Sequence, residues 1–163
     1  MTMKKAAPKR RITLERTYPS PIEDVWDLWT TKDGIESWWG PEGFSVKVRK
    51  LDLRPGGVLE YAMTATAPAQ VDFMKRARMP LTTETRITFA EVIAPRRLAY
   101  TTLADFIPGV EPYPVETVVE LHTEAQGVRM VLTFDAMHDE TWTQRSVMGR
   151  ESELGKLAKV LAA

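Results

Sequence analysis

The chain has 163 residues, of which 44% are hydrophobic, so it can bury one substantial core, and we expect a single domain. The 22 Lys and Arg residues balance 22 Asp and Glu residues, which excludes a strong net charge of the kind that draws a protein to nucleic acid or to an anionic membrane. The absence of cysteine excludes a disulfide framework, a thiolate metal site and a cysteine nucleophile.

The N-terminus is basic: five of the first 11 residues are Lys or Arg, and none is acidic. It lacks the hydrophobic centre of a secretory signal, and no apolar run is long enough to span a bilayer, so we expect a cytoplasmic protein without membrane insertion. We predict a flexible, solvated tail over residues 1–10 and one domain over residues 11–163. A nucleic-acid-binding tail and a transit peptide are the alternatives for the tail.

A strand is predicted over residues 11–18, followed by the start of a helix. Ser20 is the expected N-cap, Pro21 fits the first helical position, and Glu23 completes a capping box. The apolar residues that follow recur at helical spacing and share one face: Ile22, Val25, Trp26 and Trp29. A short second helix is predicted from near Thr31, and it carries Ile35, Trp38 and Trp39.

The chain from residue 44 to residue 136 is predicted to be mostly strand. Residues 44–53 and 58–66 form a hairpin around the turn Arg54-Pro55-Gly56-Gly57. Further strands are predicted at residues 82–93, 97–106, 116–124 and 128–136. Because neighbours in sequence are joined by short turns, we expect an antiparallel meander.

One interruption, residues 67–80, separates two of these strands and contains Phe73, Met74 and Met79 among basic residues. We predict a solvated loop whose Phe and Met side chains fold back onto the core. The alternative is a basic lid or a surface that binds a partner.

The final segment, residues 139–161, is predicted to be one long helix that Asp139 caps. Its apolar stripe consists of Val147, Leu154, Leu157, Ala158 and Leu161. A twisted sheet of six or seven strands needs an element to fill its concave side, and only this helix is long enough. The expected fold class is therefore α+β, with a curved antiparallel sheet around a C-terminal helix.

Several blocks of the sequence resemble those of a known family. They are residues 16–26, then Trp38-Trp39-Gly40-Pro41, Asp52-Leu53-Arg54-Pro55-Gly56-Gly57 and Pro95-Arg96-Arg97-Leu98, and finally the closing pattern of Gly149, Leu154, Leu157 and Leu161. The chain is identified by them as a member of the activator of Hsp90 ATPase homologue 1-like family, in the START/Bet v 1-like (SRPBCC) superfamily. The resemblance implies the helix-grip fold, in which a curved sheet wraps a long C-terminal helix around an internal pocket.

This implied pocket would be lined by alternate strand residues, most of which are apolar here. The residues expected to face inward are Tyr61, Met63, Ile87, Phe89, Tyr100, Thr102, Val119, Leu121, Met130, Leu132 and Phe134. A fully packed core gives the same alternation, so both alternatives stay open at this point. The predicted ligand-binding residues are Tyr61, Met63, Phe89, Tyr100, Thr102, Leu121, Met130, Leu132, Trp142 and Arg150.

Arg150 is the polar candidate, because it lies between Val147 and Leu154 on the apolar stripe. It either binds a ligand carboxylate through paired hydrogen bonds or extends its guanidinium towards solvent, near Glu153 or Asp139. Glu151 and Glu153 are assigned to the solvated side of the helix. Trp142, near the expected mouth, is a better ligand contact than the four tryptophans Trp26, Trp29, Trp38 and Trp39, which we assign first to the core.

The sequence shows no convincing catalytic group. His122 and His138 lie on different elements, and the only dense polar group is Asp135, His138 and Asp139. Helix capping and a solvated strand end explain that group without acid–base chemistry or a metal. We therefore predict no catalytic residue, no metal site and no cofactor.

The function that these observations favour is the binding of a small hydrophobic or aromatic ligand by a carrier or a sensor. An enzyme of the cyclase or hydrolase kind is the second hypothesis. A protein-interaction role is the third, including regulation of an Hsp90-type chaperone in the stress response, and a homodimer through a sheet edge is an open alternative. An enclosed apolar cavity would favour binding, at least two polar residues converging in it would favour an enzyme, and a filled interior would favour interaction.

Overall fold

The computed structural model describes residues 10–163. In chain order the elements are β1 (Arg11–Tyr18), α1 (Ile22–Thr30), α2 (Lys32–Trp38), β2 (Phe44–Leu51), β3 (Val58–Ala65), α3 (Pro68–Arg76), β4 (Thr82–Ile93), β5 (Arg97–Ala104), β6 (Tyr113–Glu124), β7 (Gly127–Asp135) and α4 (Glu140–Ala162). The predicted tail, residues 1–10, lies outside the described residues except for Arg10, whose guanidinium pairs with Glu140 at 2.6 Å.

The strands form one antiparallel sheet of seven strands in the order β1-β7-β6-β5-β4-β3-β2, which confirms the predicted meander. Strand β1 pairs with the last strand, so it extends the meander at one edge. Bulges interrupt the pairing of β2 with β3 at Val48 and of β4 with β5 at Phe89, and bulges bend strands. The sheet curves around α4, as the helix-grip fold requires.

Helix α1 forms where the sequence predicted it, with Val25, Trp26 and Trp29 buried against the core. The predicted Ser20 cap is wrong. Pro21 is the N-cap residue, no side chain caps the helix, and the Pro21 carbonyl accepts a hydrogen bond from the Asp24 N–H at 3.1 Å. Pro21 is extended, with ψ at 148°, so the helix begins one residue later than the capping box implied.

Helix α2 confirms the second predicted helix, and the hydroxyl of Thr31 caps it by accepting from the Gly34 N–H at 3.0 Å. The helix delivers Trp38 to the core, where its indole N–H donates to the Leu28 carbonyl at 2.6 Å. The ring of Trp38 meets that of Trp29 edge-on, with 4.6 Å between their centroids. These two contacts hold α1 and α2 together beneath the sheet.

The prediction of a loop over residues 67–80 is wrong, because Pro68–Arg76 forms helix α3. Pro68 suits the first helical position, and Lys75 and Arg76 in the last turn complement the helix dipole. Met74 is buried, as expected for a side chain that folds back, whereas Phe73 and Met79 are exposed.

Helix α4 begins at the predicted cap: the Asp139 carboxylate accepts from the Trp142 N–H at 2.8 Å. Leu154 and Leu157 are fully buried, and Val147 and Leu161 pack against the core. Ala158, predicted on the stripe, is exposed instead, and Val160 packs in its place. No helix within residues 10–163 combines the length and the apolar character needed to cross a membrane.

Candidate functional site

A cavity of about 390 Å³ lies between α4 and the concave face of the sheet. One wall is a stripe of α4 residues spaced three and four apart, which places them on the same helix face. The stripe consists of Trp142, Arg145, Ser146, Gly149, Arg150, Glu153 and Leu154. Gly149 borders open space, because a Cβ placed there would have no heavy atom within 4 Å.

The opposite wall comes from the sheet, with the helices α1 and α2 at one end. Its residues are Tyr61 of β3, Ile87 of β4, Tyr100, Thr102 and Ala104 of β5, Val115 of β6 and Leu132 of β7, together with Trp29, Trp38 and Trp39. The ring of Trp39 lies 5.4 Å from that of Tyr61 and 6.0 Å from that of Tyr100, measured between centroids. These three rings give the wall an aromatic corner.

The mouth of the cavity lies near the start of α4, where its lining residues are exposed. Phe106, in the loop between β5 and β6, is 58% exposed, and its ring centroid lies 5.9 Å from that of Trp142. The guanidinium of Arg145 lies over the Trp142 ring at 4.8 Å. A ligand that enters the cavity would therefore pass two aromatic rings and one guanidinium at its mouth.

Six of the ten predicted ligand-binding residues line this cavity: Tyr61, Tyr100, Thr102, Leu132, Trp142 and Arg150. The other four do not, and they belong to the packed core or lie against it: Met63, Phe89, Leu121 and Met130. Alternation along a strand predicts the side that a residue faces. It does not predict whether neighbouring side chains fill the space in front of it.

Arg150 points into the protein rather than towards solvent. One of its Nη2 N–H groups donates to the Thr117 hydroxyl at 2.8 Å, and its guanidinium lies 4.3 Å from the centre of the Phe134 ring. Thr117 is fully buried. Of the two alternatives for Arg150, the side chain adopts the inward one, in which the charge faces the cavity.

The assignment of Glu153 to the solvated side is wrong, because Glu153 lines the cavity. Its carboxylate accepts a hydrogen bond from the Gly40 N–H at 2.9 Å. Burial raises the pKa of Glu153, while Arg150, the Gly40 N–H and Lys156 oppose the rise. Glu151 is exposed, as predicted, and pairs with Arg16.

The hydroxyls of Tyr61 and Tyr100 stay protonated beside this carboxyl group. Burial is the main cause of the raised pKa of each phenol, and the charge of Glu153 adds to it. Arg150 opposes the rise at both tyrosines. The polar end of the cavity thus contains one guanidinium, one carboxyl group and two neutral phenols.

Helix α4 holds the segment between α2 and β2, residues 39–44, against the cavity. The Lys156 ammonium donates to the carbonyls of Gly40 at 2.9 Å, Trp39 at 3.3 Å and Phe44 at 3.4 Å. The Ser152 hydroxyl accepts from the Glu42 N–H at 2.9 Å. Because Trp39 is in this segment, these bonds also position the aromatic corner.

A second polar group lies outside the cavity, where the chain enters α4. The Tyr113 hydroxyl lies 2.9 Å from Nδ1 of His138, and Nε2 of His138 lies 3.4 Å from the Asp139 carboxylate. Asp139 also caps α4, and Asp135 accepts from the Glu116 N–H at 3.0 Å. Asp139 is the helix cap that we predicted, but Asp135 does not lie at a solvated strand end, because it is buried.

Sequence reasoning missed Gly149 and Glu153. The signal was present, since Ser146, Gly149, Arg150 and Glu153 follow at helical spacing from Trp142. We read Glu153 as solvated because charged residues are rarely buried. A glycine in the middle of a long helix was the stronger indication of space, because it forgoes helix stability.

A curved antiparallel sheet that wraps a long C-terminal helix around a cavity defines a helix-grip protein of the START/Bet v 1-like class. Residues 19–162 match the family described as "Activator of Hsp90 ATPase homolog 1-like protein". The chain belongs to this family, as its sequence blocks indicated. No curated protein matches it.

Solved structures show the same fold. A protein from Chromobacterium violaceum is 23% identical, with a TM-score of 0.77 over 94% of this chain and 97% of that one. The AHSA1 protein from Silicibacter pomeroyi is 20% identical, with a TM-score of 0.72 over 94% of this chain and 98% of that one. A protein from Arthrobacter aurescens is 19% identical, with a TM-score of 0.74 over 93% of this chain and 86% of that one.

Proposed function

We propose that this protein binds a small hydrophobic or aromatic molecule in the cavity between α4 and the sheet, as a carrier or a sensor. The observation that carries the proposal is the cavity itself, whose volume of about 390 Å³ lies in the range of small-molecule sites, roughly 300–1,000 Å³. The protein has no cysteine, which suits a reducing cytoplasm, and we propose that binding takes place there.

The chemistry of the walls supports an aromatic or apolar ligand. Trp39, Tyr61 and Tyr100 offer ring faces and edges, and Ile87 and Leu132 add aliphatic surface. A pocket with such walls and a few convergent polar groups is typical of ligand sites. A protein-interaction module would be expected to have a filled interior, so neither regulation of an Hsp90-type chaperone nor homodimerisation is part of this proposal.

The test uses two glycines of α4 as a matched pair. Gly149 lines the cavity and Gly155 is exposed, and at both a Cβ would have no heavy atom within 4 Å. Gly149→Phe should fill the cavity and abolish ligand binding, whereas Gly155→Phe should leave binding unchanged. Binding is measured as retained mass in native mass spectrometry of protein from its own host, followed by extraction of the ligand. A clean apo mass, with no thermal shift across a library of lipids and aromatic compounds, would contradict the proposal.

An acid–base enzyme of the cyclase or hydrolase kind is the second candidate. The observation that favours it is the convergence of Arg150 and Glu153 in one cavity, beside two neutral phenols. A carboxyl group with a raised pKa suits general acid–base catalysis near neutral pH. The extracted compound would be incubated with wild-type and Gly149→Phe protein: conversion by the wild type alone supports an enzyme, and an unchanged compound supports a carrier.

A further inference from the structure

We propose that the cavity takes an apolar molecule that bears one anionic group, and that Arg150 binds this group while Glu153 takes up a proton. The inference rests on the proposed function and adds the class of ligand and the protonation that accompanies binding. Three features of the cavity carry it: the free donors of Arg150, the position of Glu153 and the scarcity of other charges.

Arg150 has hydrogen-bond donors to spare. A guanidinium has five N–H groups, and within residues 10–163 its partners are neutral hydroxyls, with Thr117 accepting at 2.8 Å and Tyr100 beside it. No carboxylate of the described chain forms an ion pair with it within 4 Å. A positive charge facing an apolar cavity without a close counter-ion favours an anionic ligand group, since paired N–H bonds to a carboxylate or sulfonate are strong.

Glu153 lies one helical turn after Arg150 and lines the same cavity. The groups that face its carboxyl are Arg150 and Lys156 on α4, the phenols of Tyr61 on β3 and Tyr100 on β5, and the N–H of Gly40. Lys156 already donates to three backbone carbonyls, and both phenols are neutral. Arg145 also lines the cavity, but its guanidinium lies over the Trp142 ring near the mouth. Arg150 is therefore the main cation available to Glu153 at the polar end of the cavity.

An anionic ligand at Arg150 would share that one cation with the Glu153 carboxylate. Two like charges in an apolar site raise the pKa of the group that can still accept a proton. Glu153 would be protonated as the ligand binds, and its new O–H could donate to the ligand. Each binding event takes up one proton in the pH range between the pKa of Glu153 in the free protein and its pKa in the complex. In that range the affinity for the anionic ligand should fall by up to tenfold for each unit by which the pH rises.

A pair of fluorescent dyes tests this directly. 8-Anilinonaphthalene-1-sulfonate carries a sulfonate that stays ionised from about pH 5 to about pH 9, so any pH dependence comes from the protein. N-phenyl-1-naphthylamine has the same rings without the charge. We expect the affinity of the anionic dye to fall as the pH rises and that of the neutral dye to stay constant. Equal pH profiles for the two dyes would overturn the proposal.

Two variants assign the effect to its residues. Glu153→Gln keeps an oxygen for the Gly40 N–H, and it should abolish the pH dependence for the anionic dye. A pH dependence that persists in this variant would refute the role of Glu153. Arg150→Gln should weaken binding of the anionic dye at least tenfold more than binding of the neutral dye. An equal change for the two dyes would refute the role of Arg150.

The failure of this inference is distinguishable from that of the proposed function. The Gly149→Phe variant should exclude both dyes, and Gly155→Phe should exclude neither. If neither dye binds the wild type, or Gly149→Phe binds both normally, the cavity is not the binding site and both proposals fall. If both dyes bind in the cavity without pH dependence, only the present inference falls. The profiles of the unmodified protein decide this even where a variant does not fold.

Discussion

Glu153 and Gly40 are joined by a hydrogen bond of 2.9 Å, from the Gly40 N–H to the Glu153 carboxylate, although 113 residues separate them in the chain. The bond ties α4 to the segment 39–44 that carries Trp39. Gly40 has a positive φ of 84°, which glycine adopts without the strain that a side chain would bring. The wall of the cavity therefore depends on contacts between the two ends of the domain.

Lys156→Met should destabilise the protein by about 1–3 kcal/mol, because the Trp39, Gly40 and Phe44 carbonyls would lose their shared donor. The control is Lys159→Met. Lys159 pairs with Glu42 at 3.3 Å on the surface, where such pairs contribute about 0–1 kcal/mol. Urea unfolding measures both variants, and equal losses would contradict the role assigned to Lys156.

Gly149→Ala and Gly155→Ala should each stabilise the protein by roughly 0.5–1 kcal/mol. Both glycines lie inside α4, and a methyl group at either position has no heavy atom within 4 Å. The gain comes from the lower conformational entropy of the unfolded chain. Urea unfolding measures the gain, and a loss of stability at Gly149 would mean that the space beside it is smaller than described.

Gly34→Ala should have the opposite sign, although Gly34 is also in a helix. A Cβ at this position would lie 2.3 Å from the Asp27 carbonyl oxygen and 2.8 Å from Cα of Leu28, both of which are backbone atoms. Helix α2 would have to move away from α1, at a cost of about 1–3 kcal/mol. A midpoint of thermal unfolding equal to that of the wild type would contradict this close approach.

Tyr18→Phe should stabilise the protein at neutral pH by about 1 kcal/mol, because the Tyr18 hydroxyl is buried without a hydrogen-bond partner among the described residues. Burial raises the pKa of Tyr18 from 10.0 to about 12. The folded state thus holds this proton more tightly than the unfolded state. Below pH 10.0 the phenol is protonated in both states, so its ionisation does not affect stability. Above pH 10.0 ionisation favours the unfolded state, and the free energy of unfolding decreases as the pH rises towards about 12.

Unfolding at a series of alkaline pH values measures this loss, which should be smaller in the Tyr18→Phe variant. Tyr61 and Tyr100 also have raised pKa values and account for part of the loss that remains. Identical alkaline profiles for the variant and the wild type would show that the Tyr18 phenol is accessible to solvent.

The prediction of the fold succeeded where the signals were local. Asp139 caps the helix that it was expected to cap, and the turn at Arg54-Pro55-Gly56-Gly57 joins the two strands predicted around it. It failed where two local signals competed. Pro21 replaced Ser20 as the N-cap residue, and the helical pattern of Pro68–Arg76 was obscured by its exposed, basic composition.

The site could be predicted only in part, for a physical reason. Tyr61, Tyr100 and Thr102 line the cavity and Phe89 does not, yet all four lie on the side of their strands that we predicted to face inward. Whether such a residue lines the cavity or belongs to the packed core depends on which other side chains fill the space in front of it. Those neighbours come from elements far apart in the chain, so no local pattern contains the information.

The sequence by itself determined the order of the strands, the two short helices after the first strand, the antiparallel meander and the long capped helix, because these depend on periodicity, caps and turns within a few residues. The resemblance of its sequence blocks indicated the family. The tertiary structure alone decided that Gly149 leaves a space, that Arg150 turns inward to Thr117, and that Glu153 shares the cavity with it. A cavity is the space that remains where elements distant in the chain pack together without filling it, so it is seen only in the packed structure.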